Sequence, residues 1–182
     1  MNKMTGNAVM DTFFMYITHA GDGIVALIII AITLLMNARN GLFLFIAYAV
    51  SGLITTAIKN LSPESFRPHF AFHEYLHSYP INYIDGVEML AKNSFPSGHS
   101  TTAFAVFLSL ALFTKNKALK VTFLLIAILS AFSRTYLSQH WLVDITVGSL
   151  IGFTTAVLFY FVLISPNRLQ KINKPLMNIF NN

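Results

Sequence analysis

Two short stretches of this chain, and a scatter of cations, hold side chains whose types and spacing suit phosphate chemistry. Pro96-Ser97-Gly98-His99 stands directly ahead of an apolar run and reads as a helix start. Ser97 is a good N-cap, and Gly98 lets backbone N–H groups approach a ligand closely. A helix N-terminus attracts anions, phosphate above all, and His99 in the first turn can reach whatever binds there. A plain N-cap with an interfacial histidine is the bland alternative. His140 and Asp144 are four apart, which on a helix puts them on one face a turn apart. A carboxylate against one ring nitrogen fixes the tautomer and leaves the other nitrogen free to attack. The same spacing also arises in a pair that only caps a helix. Arg134, Arg67 and Lys59 lie at the ends of apolar stretches or just beyond them. Each could merely snorkel to lipid headgroups. Gathered on one face, three cations, a helix N-terminus and two histidines would make a phosphate site, with arginine suited to bidentate recognition and lysine acting as a point charge. No carboxylate cluster remains to hold a metal, so the cations would carry the charge and no metal or cofactor is expected.

The elements that must position these residues follow from composition. The chain has 182 residues, of which 55% are apolar and 10% charged. A soluble domain carries about 25% charge, so a soluble enzyme and a disordered chain are both disfavoured. The 17 Phe and a mean hydropathy of +0.62 point to a membrane protein. The absence of Cys excludes disulfide and zinc-thiolate scaffolds. The net charge of +5 is not organised into a basic patch with interleaved aromatics, so nucleic acid is not an expected partner. Five apolar stretches, roughly Gly23–Asn37, Gly41–Asn60, His99–Phe113, Leu119–Tyr136 and Leu142–Ile164, predict an all-α polytopic bundle forming one domain over 1–182. Spanning takes about 20 residues, so the first and third need flanking residues such as Asp22 or Ser97 at the interface. Residues 4–20 are apolar but interrupted by Asp11. They are expected to lie along the membrane as an interfacial helix within 1–22, with a sixth span as the alternative.

Charge counting sets orientation. With Arg39 on the inside, so are Lys115, Lys117, Lys120, Arg168, Lys171 and Lys174, with no acid among them. The other face takes five basic residues, all seven acids and all six His. The positive-inside rule then puts the linker 61–97 outside and the tail 165–182 in the cytoplasm. Lys59 to Arg67, Ser94 to Ser100, and Ser133 to Asp144 all meet at the outer surface.

These residues resemble the type 2 phosphatidic acid phosphatase superfamily, which also contains the vanadium haloperoxidases. Its motifs are Lys-x6-Arg-Pro, Pro-Ser-Gly-His and Ser-Arg-x5-His-x3-Asp. The second is intact at Pro96–His99 and the third at Ser133-Arg134, His140 and Asp144. The first departs by one residue, because seven residues separate Lys59 from Arg67-Pro68. One extra residue on a helix is a rotation of about 100°, which Ser62-Pro63 could absorb. The resemblance implies that His140 attacks phosphorus, Asp144 orients it, and His99 protonates the leaving oxygen and then activates water. It implies further that Lys59, Arg67, Ser97, Gly98 and Arg134 bind phosphate. The expected partners are the bilayer and a membrane lipid phosphate or diphosphate, such as undecaprenyl diphosphate, phosphatidylglycerol phosphate, phosphatidic acid or a lipid A phosphate. The protein would sit in the cytoplasmic (inner) membrane with its site facing the periplasm or exterior. Residues 69–92 would lie over the site; His69, His73 and His77 at spacings of four admit a metal reading, with interfacial helix polarity the plainer account. A phosphotransferase, a haloperoxidase and a non-catalytic lipid binder are the competing functions, and oligomeric state stays open.

Overall fold

A computed structural model of the chain describes residues 5–75, 82–88 and 90–164. Within them run α1 (Ala8–Ile17), a 3₁₀ turn (Thr18–Gly21), α2 (Gly23–Met36), α3 (Ala38–Leu61), α4 (Pro68–Tyr75), α5 (Gly98–Phe113), α6 (Lys117–Tyr136) and α7 (Leu142–Phe159). A π turn (Tyr160–Ile164) continues α7. Asparagines open three of the helices. Asn7 accepts from Val9 and Met10 N–H, Asn37 from Asn40, and Asn116 from Ala118 and Leu119, occupying donors that a helix start leaves orphaned.

The bundle is apolar outside and partly polar inside. Ile24, Leu27, Ile28, Val121, Leu125, Leu150 and Phe153 are exposed, while Ser51, Thr55, Ser100, Thr101, Ser109, Ser130 and Thr155 are buried beside Ala26, Ala47, Ala103, Ala105, Ala127 and Ala156. Water would penalise that arrangement; lipid does not, and small residues let helices approach where no hydrophobic force drives them together. Several buried hydroxyls reach back along their own helices, Thr101 to Ser97 O (3.0 Å) and Ser109 to Ala105 O (2.6 Å), while Ser130 Oγ has no hydrogen-bond partner among the described residues. Across helices, the Thr55 and Thr101 hydroxyls pair at 3.0 Å.

α5 is the central helix, packed by α3, α6 and α7. Its seam with α7 is a backbone contact. A Cβ on Gly148 would collide with Ser97 O, and one on Gly152 with Thr101 O and Ala105 N.

Helix ends agree with the expected stretches to within about three residues. The span count is coarser than expected. By length and composition three described helices can cross a membrane, Ala38–Leu61, Lys117–Tyr136 and Leu142–Ile164. A fourth is formed if Ala8–Gly21 and Gly23–Met36, bent by 56°, count as one broken span. α2 has 14 residues and α5 has 16, so neither reaches spanning length alone. α1 packs along the C-terminal end of α6, where Phe14 stacks on Tyr136 at 4.3 Å and the Tyr136 hydroxyl donates to Asp11 at 2.6 Å. The linker 61–97 contains α4. The tail 165–182 lies outside the described residues.

Because a side chain at position 152 has no room, Gly152→Val should destabilise the protein by about 1–3 kcal/mol through overpacking. Gly52, whose Cβ would meet open space, should tolerate Val within about 0.5 kcal/mol. Thermal unfolding in one detergent compares the two.

Candidate active site

The end of α6 delivers His140. Ser138 adopts φ +56°; its N–H bonds Thr135 O at 3.1 Å, and that of Gln139 bonds Arg134 O at 2.9 Å. That is a Schellman closure with serine in place of the usual glycine. The His140 N–H also reaches Arg134 O, at 3.1 Å. Trp141 then starts α7, with its indole N–H on Phe66 O at 2.8 Å. His140 therefore precedes α7 rather than riding on it, which corrects the expectation of a shared helix face. The turn, not helical periodicity, brings His140 Nδ1 to 3.4 Å from Asp144 Oδ2.

Asp144 is fixed from several sides. Its Oδ2 accepts from Ser94 Oγ (2.5 Å) and from the Trp141 N–H (2.9 Å). Its carbonyl accepts from the Ser97 N–H at 3.1 Å, tying the first turn of α7 to the start of α5. His140 Nδ1 has no well-aligned hydrogen-bond partner. A 3.4 Å approach of this kind can tighten once the ring carries charge.

His140 is 2% exposed, and its Nε2 lies 3.5 Å from Arg67 Nη1. Burial pushes its pKa down to about 4, against the pull of Asp144 and with help from Arg67 and Arg134. The ring is neutral at pH 7, with Nε2 facing a guanidinium.

The cations are held by neutral oxygens. Arg67, 7% exposed, donates through Nε to Lys92 O (3.1 Å) and through Nη1 to Gln139 O (3.2 Å) and Oε1 (3.1 Å). Burial lowers its pKa from the ordinary arginine value, with Asp144 and Glu88 opposing. Lys59, in the last turn of α3, donates to Asn93 O at 2.6 Å. Arg134 donates to Thr18 Oγ1 at 2.8 Å, and its buried Nε has no partner. Among the described residues none of the three has a carboxylate oxygen within 4 Å. The extra residue before Arg67 falls in the irregular stretch 62–67, after α3 has ended, so Lys59 still shares a cleft wall with Gly98 and His99. Ser97 caps α5, accepting from Ser100 Oγ at 2.9 Å and from the Ser100 N–H at 3.4 Å. His99 Nε2 lies 2.7 Å from Asp22 Oδ1.

All eight residues singled out from the sequence thus come to one end of the bundle. A cleft of about 560 Å³ leads away between α2, α3 and α5, from Lys59, Gly98 and His99 to Tyr48, Ala49 and Gly52. Ten residues of α3 separate Lys59 from Ala49, a run of about 15 Å. A second, apolar crevice between Phe104, Phe132 and Phe153 carries no group able to act on phosphate. No group of three or more metal-ligating side chains occurs among the described residues. His69 is buried, His73 is on Glu74 at 3.0 Å, and His77 lies outside the described residues.

Sequence reasoning missed Ser94, Gln139, Thr18 and Asp22, which hold Asp144, Arg67, Arg134 and His99 respectively. Only Asp22, an acid between two apolar segments, carried a signal.

The PAP2 superfamily model matches residues 40–167, a stretch that contains the three motif segments just described. The chain belongs to the PAP2 superfamily. It is 27% identical over 156 residues to an undecaprenyl-diphosphatase, BcrC, of Bacillus subtilis, covering 85% of this chain and 75% of that one. It is 30% identical over 162 residues to a lipid A 4'-phosphatase of Porphyromonas gingivalis, covering 84% of this chain and 65% of the relative. The crystal structure of Aquifex aeolicus LpxE superposes with a TM-score of 0.74 at 22% identity, covering 87% and 89% of the two chains. That of a PAP2-type phosphatidylglycerolphosphate phosphatase from Bacillus subtilis gives 0.65 at 23%, covering 94% and 82%. Both share this PAP2 fold.

The buried neutral imidazole generates a pH prediction. Unfolded, His140 takes up a proton near pH 6.5; folded, only near 4. Between those values the unfolded state binds more protons, so the stability present above pH 6.5 is lost as pH falls toward 4. Melting temperature should decline more steeply over that range for the parent than for His140→Asn; parallel curves would contradict the assignment.

Proposed function

We propose that this PAP2 protein removes the terminal phosphate from a membrane lipid phosphate or diphosphate, through a phosphohistidine formed on the outer face of the membrane. The observation that carries the reading is the cation set. Arg67 and Arg134 stand beside a buried neutral His140, with Lys59 at the same end of the bundle, and among the described residues none of these three cations has a carboxylate oxygen within 4 Å, an arrangement that an incoming phosphate would complete.

His140 Nε2 attacks phosphorus and the P–O bond to the lipid breaks. The leaving oxygen takes a proton from His99, giving a lipid alcohol, or a lipid monophosphate from a diphosphate. Asp144 stabilises the charged ring from Nδ1. Water then attacks phosphorus, the N–P bond breaks, His99 recovers a proton from that water, and phosphate departs. The cations, with Ser97 and the Gly98 N–H, hold the non-bridging oxygens as charge redistributes. That charge makes a metal ion unnecessary. The cleft down α3 suits an acyl or prenyl chain that stays in the bilayer. The relatives' names point to undecaprenyl diphosphate, lipid A phosphates and phosphatidylglycerol phosphate as the substrate class.

The matching experiment is phosphate release in detergent from a panel of lipid phosphates and diphosphates, with EDTA present and vanadate as competitor. Metal-independent, vanadate-sensitive release is expected, falling on the order of 10³-fold or more in His140→Ala. Equal rates in parent and variant would reject the nucleophile.

We further propose that α2 and α5 join the three long helices to make five spans, or six with α1, in the cytoplasmic membrane, with the site outside. The chain has no native Cys, so single cysteines report topology directly. Glu64→Cys should react with an impermeant maleimide on intact cells, and Asn116→Cys only after lysis. The reverse pattern would invert the orientation.

A further inference from the structure

We infer that Asp22, at the break between α1 and α2, is a positioning residue that holds His99 as the proton donor, with His19 bracing the carboxylate. The inference rests on the phosphatase reading above. It concerns residues ahead of the 40–167 stretch matched by the family model.

Three observations carry it. Asp22 Oδ1 lies 2.7 Å from His99 Nε2, and Oδ2 lies 2.7 Å from His19 Nδ1. Asp22 also stands at the N-cap of α2, in extended conformation, where aspartate ordinarily accepts from the helix's first N–H groups. Its side chain makes no such bond; both oxygens go to imidazoles instead. Finally, Gly21 lets the turn press onto α5, since a Cβ there would come within 2.8 Å of His99 O and 3.0 Å of His99 Cβ. Thr18 of the same turn receives Arg134. A cavity of about 290 Å³ opens at this junction, with His19, Asp22, His99 and Arg134 in its wall.

A carboxylate only accepts, so the proton of the neutral His99 ring sits on Nε2. Nδ1 is then the nitrogen left to exchange a proton. In the imidazolium form Nδ1–H goes to the leaving oxygen while Nε2–H stays on Asp22, and Nδ1 later takes the proton of the attacking water. Asp22 is the carboxylate that offsets a charge on His99 against Arg134 beside it.

A positioning role predicts dependence on the leaving group. kcat/KM, which reports the step up to leaving-group departure, is measured in mixed micelles for a lipid alkyl phosphate, whose alkoxide needs a proton, and for p-nitrophenyl phosphate, whose nitrophenolate leaves without one. Asp22→Asn should lower the alkyl value about 10–100-fold and the nitrophenyl value less than about 3-fold, and Asp22→Glu should recover part of the alkyl loss. Turnover of nitrophenyl phosphate by the variant also shows that its site is folded. Equal losses on both substrates mean a structural role and overturn the inference, as does no loss on either. A parent protein inactive on both overturns the phosphatase reading, and this inference with it.

Discussion

Ser97 and Asp144 join α5 to α7 backbone to backbone, and the geometry of the whole site hangs on that join. Glycine at 148 and 152 brings the two helices together until carbonyls of one touch the Cα positions of the other. Only at that separation can the Ser97 N–H reach Asp144 O. Once it does, the helix start carrying His99 and the one following His140 are locked in register. Ser94, a few residues upstream, falls onto the Asp144 carboxylate. A membrane offers little hydrophobic force to hold helices together, so the join depends on fit and on hydrogen bonds shielded from water.

Around it the charges are arranged with restraint. A protein that wanted only a stable end to its bundle would pair Arg67 and Arg134 with acids. Here carbonyl, amide and hydroxyl oxygens take those places. Neutral acceptors orient a guanidinium without cancelling its field, so the end of the bundle keeps a positive potential. Asp144, the buried acid nearby, turns its Oδ2 toward Ser94, Trp141 and His140.

The helices were legible because long apolar runs broken by Asn, Pro and Lys leave few other choices. The converging residues were legible because charge asymmetry put every motif at one membrane face. Spacing could not show that His140 sits before α7, since a spacing of four reads the same in a turn as in a helix. The bounds of α4 were not legible because prolines break the linker around it, although the spacing of His69 and His73 already suited a helix face. Crossing number is not fixed by helix length, because α2 and α5 are apolar but, at 14 and 16 residues, short of spanning alone. Ser94, Gln139 and Thr18 were invisible, being common polar residues whose value comes only from what lies across the bundle. The Asp22–His99 contact joins residues 77 positions apart, and no local pattern encodes it.

The cleft from Lys59 to Ala49 runs along α3 for about 15 Å. On the proposed function, a lipid gripped there by its headgroup would keep its tail among neighbouring lipids, and so would its dephosphorylated product. Encounter then takes place in a plane. What governs turnover is the mole fraction of substrate in the leaflet, and adding inert lipid or detergent slows the enzyme by dilution even when bulk concentrations are unchanged. The same cleft relieves the protein of extracting a hydrophobic chain into water, so its binding energy can be concentrated on the few atoms of the phosphate.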